Sequence, residues 1–141
     1  MRRYLVVAHQ TLGSPELLSA LRDRLDRGAC SFHLVVPFIH GGSGGIWVEG
    51  DARIEAAEHL EVARLHLLAE GLAVTGEVGD ENPVLAVSDV LIRDGGDAFD
   101  EIIVSTLPLG ISRWVHLDVP TRVRKSTAIP VDHVVAVHAH A

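Results

Sequence analysis

Apolar and polar positions along the chain change period repeatedly, and each change marks an element. Residues 3–8 form a short, continuous apolar run rich in β-branched side chains, as in a strand buried on both faces of a parallel sheet. After residues 9–13, Ser14 is suited to an N-cap with Pro15 at the first helical position. Leu17, Leu18, Leu21 and Leu25 then share one helical face, which Gly28 ends. Residues 32–37 read as a second buried strand. The loop beyond it holds five glycines between Gly41 and Gly50 and carries Trp47. A second helix is expected over residues 51–70, with Ala56, Leu60, Ala63 and Leu67 as its inward stripe and Gly71 as its stop.

Residues 73–78 give a third strand. Gly79-Asp80-Glu81-Asn82-Pro83 then leads into a third helix, with Val84, Val87 and Leu91 at helical spacing and Gly95-Gly96-Asp97 closing it. Residues 101–105 are the fourth strand and 133–137 the fifth, with a short helix between them near residues 118–126. Strands and amphipathic helices alternate as βαβαβαβαβ. Parallel strands need right-handed crossovers, so the pattern predicts one α/β domain over residues 1–141: a three-layer sandwich around a five-stranded, mostly parallel sheet.

In such sheets ligands sit beyond the carboxyl ends of the strands, where the strand order reverses. That rule selects the loops after strands one, two and four. The candidate ligand-binding residues are therefore His9, Gln10 and Thr11 after strand one, Val36 at the end of strand two, and Ser105 and Thr106 at the end of strand four. Gly110, Ser112, Arg113 and Asp118 follow in the next loop.

Composition narrows the function. Mean hydropathy is high at +0.26, yet no stretch reaches the roughly 18 apolar residues of a membrane helix. The N-terminal run stops at His9, too early for a secretory signal. A single cysteine, Cys30, excludes an internal disulfide framework and fits a reducing, cytoplasmic location. The net charge of −7 argues against a nucleic-acid backbone as partner, and the small basic cluster Arg122, Arg124, Lys125 suits a helix C-terminus.

Nine histidines raise the question of a metal. His59 and His66 are two turns apart, ~10 Å in rise, too far to share one ion, and both read as surface positions. His138 and His140 read as a frayed tail; His9 and His116 are the two that topology brings near the ligand loops. No G-x-S-x-G elbow frames Ser105, Thr106 or Ser112, and the 41–45 glycine run lacks the Lys-Ser or Lys-Thr of a Walker loop. No acidic pair follows strand one, as a phosphate-receiving signalling domain requires.

Several segments together resemble the universal stress protein superfamily. Phe99-Asp100-Glu101-Ile102-Ile103-Val104-Ser105-Thr106 resembles its fourth strand, and Pro130-Val131 its lead into the last strand. Gly79-Asp80-Glu81-Asn82-Pro83 resembles its turn into helix three. The resemblance implies a flavodoxin-like sheet of order 3-2-1-4-5, similar to the adenine nucleotide α-hydrolase group, and a cytoplasmic role in stress response. Members resembling it are often dimeric, and strand five (His133 to Val137) reads as an apolar edge that must be covered or paired, so a homodimer joined there is expected.

In ATP-binding members a glycine motif follows strand four and ends in Gly-Ser or Gly-Thr. Here Leu117-Asp118 stands at that place and Leu107 at an earlier glycine, leaving Gly110 nearby. The family's Asp after strand one is replaced by His9 and Gln10. Asp118, as an N-cap, is expected to occupy the N–H donors of the last helix with its own carboxylate, and Pro120 removes a donor. The expected function is thus a small-molecule-binding or regulatory module, not an enzyme, with no required cofactor and no ATP in the usual pose. The alternative is an adenine-nucleotide-binding protein or weak nucleotide hydrolase using His9, Thr106, Ser112 or Arg113.

Overall fold

The computed structural model describes residues 1–38, 49–108 and 118–137. In chain order the elements are β1 (Arg2–Val7), α1 (Pro15–Arg27), β2 (Cys30–Pro37), α2 (Glu49–Ala69), β3 (Val74–Gly79), α3 (Pro83–Asp94), β4 (Glu101–Thr106), α4 (Val119–Ser126) and β5 (Val131–Val135). The strands form one sheet of order β3-β2-β1-β4-β5, the order the family resemblance implied, and every pairing is parallel where the alternation of elements predicted a mostly parallel sheet.

Alternation along the central strands sends side chains to two apolar layers. Tyr4, Val6, Phe32, Leu34 and Ile103 meet Leu17 and Leu21 of α1 and Ala56, Leu60, Ala63 and Leu67 of α2. On the other face Leu5, Val7, Val35, Ile102 and Val104 meet Ala86, Val87 and Val90 of α3 and Val119 and Val123 of α4. Because both faces are covered, β1, β2 and β4 read as continuous apolar runs rather than alternating ones.

Local chemistry sets the helix ends. The Ser14 hydroxyl accepts from the Leu17 N–H at the start of α1, and the Asn82 side chain accepts from Val84 and Leu85 at the start of α3. Gly71, at φ +88°, turns the chain out of α2 in a conformation that disfavours a side chain. A Cβ on Gly79 would lie 2.8 Å from Ala86 Cβ and 2.9 Å from Val35 Cγ1, so glycine there lets α3 sit close on β3.

Strand boundaries differ from the expected ones because pairing, not apolarity, fixes them. β5 begins at Val131 rather than residue 133: the Pro130 carbonyl accepts from the Ile102 N–H and Ile102 registers with Val131. β1 begins at Arg2, whose N–H reaches the Ala29 carbonyl, and β2 correspondingly begins at Cys30.

Arg24, on the inward side of α1, is 6% exposed. Its guanidinium donates to Glu101 Oε1 at 3.0 Å, Asp132 Oδ2 at 2.6 Å and the Ala20 carbonyl at 3.2 Å. It ties α1 to the starts of β4 and β5, at the end of the sheet away from the ligand loops.

Candidate ligand site at the carboxyl ends of β1 and β4

The chain leaves β1 toward β2 and β3 on one side and returns through β4 and β5 on the other. The crevice between β1 and β4 is therefore the reversal point, and polar side chains gather there. His9, Thr11, Ser105 and Thr106 are all buried. Apart from these, the buried polar residues among those described are Ser14, which caps α1, and Arg24 at the opposite end of the sheet.

Two hydroxyl contacts organise the crevice. Thr11 Oγ1 and Ser105 Oγ are 2.6 Å apart, bridging the loop after β1 to the end of β4. Thr106 Oγ1 donates to the Leu107 carbonyl at 2.9 Å and stands 2.7 Å from His133 Nε2. A hydroxyl has one proton, so the Thr106 oxygen then accepts from His133 Nε2–H, which fixes that imidazole's tautomer. Burial, with Arg124 nearby, holds His133 below its usual pKa, opposed by Asp132.

The turn after β1 is tied by its own backbone: Leu12 N–H donates to the His9 carbonyl and Ser14 N–H to Thr11. His9 itself is 6% exposed, and its Nδ1 has no hydrogen-bond partner. Leaving such a nitrogen buried and unpaired costs about 1–3 kcal/mol. The His9 ring meets the His59 ring edge-on, centroids 5.0 Å apart at 70°. Burial first, then the neighbouring His59, press the His9 pKa down from 6.5 to about 4, with Glu55 opposing. At neutral pH His9 is an uncharged imidazole.

His59 is half-buried and faces His9, which corrects its assignment to the surface; His66 is exposed as expected. The sequence spacing tested His59 against His66 on the same helix, whereas its partner comes from the end of β1. Gln10 is exposed, while Val36 lies within the apolar layer under α1 and α2. Asp118 precedes α4 but is left-handed, at φ 58°, and its side chain makes no capping hydrogen bond. In that conformation the carboxylate does not reach the helix N–H groups, so the expected self-capping is not found. Gly110, Ser112, Arg113 and His116 lie outside the described residues.

The described crevice is thus lined by hydroxyls and a neutral imidazole. At the neighbouring end of β2, the Arg53 guanidinium stacks 4.5 Å over the Phe38 ring. Among the described residues, no group of three or more His, Cys, Asp or Glu side chains can hold a metal ion. No described helix is long and apolar enough to cross a membrane.

The chain matches a structure of universal stress protein from Archaeoglobus fulgidus with a TM-score of 0.63 at 16% identity, covering 95% of this chain and 93% of that one. The fold is that of the universal stress proteins. A second structure, the universal stress protein from Archaeoglobus fulgidus in complex with dAMP, matches with a TM-score of 0.60 at 18% identity over 95% of this chain and 98% of that one. No protein-family description and no curated protein matches the sequence. The universal-stress-protein resemblance seen in three short segments therefore extends to the architecture of nearly the whole chain, at low sequence identity.

Proposed function

We propose that this chain is a small-molecule-binding or regulatory module of universal-stress-protein architecture. Its ligand lies over the carboxyl ends of β1 and β4 and is recognised by uncharged hydrogen-bonding groups. One observation carries this reading: the concentration of buried, uncharged polar side chains, His9, Thr11, Ser105 and Thr106, at the reversal point of the sheet. A cytoplasmic role in stress response, without a required cofactor, is the setting we infer for it.

Adenine compounds are the first ligands to test, because a structural neighbour is described in complex with dAMP. Phosphate is a poor anchor at the start of α4. Pro120 carries no N–H, and Asp118 adds an acidic side chain without using the helix donors itself. We expect adenosine to raise the melting temperature at least as much as magnesium-ATP. A ligand at a hundred times its Kd stabilises by about 2.7 kcal/mol, an easily measured shift. Stabilisation by ATP with none by adenosine would reverse the reading and make the chain a phosphate-anchored nucleotide binder.

We also propose a homodimer through β5 (Val131–Val135). It is an edge strand of the sheet, with Val134 half-buried and Val135 exposed, and such edges are normally paired or covered. Light scattering at micromolar concentration is expected to give twice the chain mass; the mass of one chain would refute the dimer.

A further inference from the structure

α2 is apolar on two sides. Ala52, Ala56, Leu60, Ala63 and Leu67 turn inward and are buried. At about 100° per residue, Ile54, Leu65 and Leu68 come round to the opposite side, with Val62 next to them. These four are exposed by 59%, 54%, 41% and 70% in that order. Single exposed apolar residues are ordinary, but residues three and four apart on a helix touch and form a patch. Val62, Leu65 and Leu68 are such neighbours, and the row runs back through Glu58 to Ile54. A helix apolar on both sides is patterned for cover on both sides, and the sheet covers one of them.

Charge is distributed unevenly over the same side. α2 carries five acidic residues against two arginines, in a chain of net charge −7. Both arginines are engaged: Arg64 donates to the two carboxylate oxygens of Glu61 at 2.9 and 2.6 Å, and Arg53 lies over the Phe38 ring. Asp51, Glu55 and Glu58 are exposed, and among the described residues no ion pair takes them up. They lie along the amino-terminal half of the outer side, ahead of the patch made by Val62, Leu65 and Leu68.

Apolar side chains with carboxylates alongside fix the chemistry of what covers them. An anionic membrane surface or a nucleic-acid backbone is repelled by the acidic half. A second copy laid two-fold on this face brings Glu61, midway between Ile54 and Leu68, against its own counterpart. A helix with leucine-like residues on one side and lysine or arginine beside them satisfies the apolar and the acidic parts together. From Ile54 to Leu68 the face is about 21 Å long, roughly four turns, so the complementary helix is of about that length.

We propose that the outer face of α2 docks a basic amphipathic helix of a partner protein, its apolar side on Ile54, Val62, Leu65 and Leu68 and its cations toward Asp51, Glu55 and Glu58. The buried apolar contacts supply affinity, and the carboxylates speed association and select a cationic partner. This surface needs no ligand at the mouth, so it stands or falls apart from the binding reading above.

The test titrates the full chain with a helical peptide of about 14 residues built from leucine and lysine, leucine at helical spacing, and with its counterpart carrying glutamate for lysine. Backbone amide shifts are followed. Expected are saturable shifts confined to residues 51–69 with the lysine peptide and none with the glutamate peptide. Val62→Gln with Leu65→Gln is expected to bind the lysine peptide at least ~tenfold more weakly, glutamine being a good helix former that keeps α2 intact. Glu55→Lys with Glu58→Lys loses about as much at low salt, and added salt narrows that gap. Ile92→Gln, at an 80% exposed position on α3, leaves binding unchanged. All of these positions are exposed, so the melting temperatures stay close to that of the wild type. No saturable shift, shifts outside α2, equal binding of the glutamate peptide, or full affinity in the glutamine variant overturns the proposal. Shifts at residues 51–69 that grow with protein concentration in the absence of peptide assign the face to a second copy and overturn it too.

Discussion

Truncating Phe32 to alanine is expected to lower the unfolding free energy by about 3–5 kcal/mol. Phe32 is 1% exposed on β2, between β1 and β3, and its ring stacks on Tyr4 with centroids 5.3 Å apart and planes 21° from parallel. The change deletes a whole ring beneath α1 and α2 and also ends an aromatic contact worth about 0.5–1.5 kcal/mol. The backbone cannot collapse into the space because β2 is hydrogen-bonded on both sides. Against a usual total of 5–15 kcal/mol, this is a large fraction of the stability. Urea unfolding reads it as a midpoint lowered by about 2 M with an unchanged slope, given a typical slope near 2 kcal/mol/M. A loss below 1 kcal/mol would mean that the aromatic pair does not occupy the core.

Acid is expected to weaken the protein before its carboxylates begin to titrate. The pKa of His9 is near 6.5 in an unfolded chain and about 4 in the folded one. Above pH 6.5 both states are neutral and the residue contributes no pH dependence. As pH falls from 6.5 toward 4, the unfolded chain takes up a proton that the folded chain resists, so stability falls; below 4 the loss is complete. Discounted for the residual solvent access of the site, it amounts to about 2 kcal/mol. His133, also held below its usual value, acts in the same direction. Glu77 is held below 4.5 by its hydrogen bond to Arg93, so its contribution falls at lower pH. The interval between pH 6.5 and 5 therefore isolates the histidines. Unfolding free energy measured across it should decline in the wild type and decline less in His9→Leu; equal slopes would mean that His9 titrates normally.

Much of this architecture was legible in the sequence. Residues that act on their own neighbours are legible locally: Ser14 and Pro15 open α1, Gly28 closes it, and Ala56, Leu60, Ala63 and Leu67 face inward on α2. Outcomes that depend on a distant partner are not. Nothing in the sequence around Arg24 marks it as buried; Glu101 and Asp132 make its burial tolerable, and both lie more than 70 positions away in the chain. His59 and His9 are 50 positions apart and meet only because α2 folds back over the end of β1. Asp118 shows a third limit. Its type is right for a cap, but the chain enters α4 through a left-handed residue, and that backbone geometry turns the carboxylate away. Ile54, Val62, Leu65 and Leu68 leave α2 apolar on its outer side as well, so periodicity alone marks that helix weakly.

The position of the ligand mouth came from topology, and its chemistry came from the structure. His9, Thr11, Ser105 and Thr106 were named because they end β1 and β4, and all four are buried together there. That they form an uncharged lining, with one nitrogen left unpaired, follows from burial and hydrogen bonding that no sequence motif encodes.

The most direct test of this account is a titration of isotope-labelled protein with adenosine, with magnesium-ATP in parallel, read by backbone amide shifts. Saturable shifts centred on residues 9–12 and 105–107 are expected, at least as strong with adenosine as with ATP. Shifts elsewhere on the molecule, or a response to ATP alone, would contradict it.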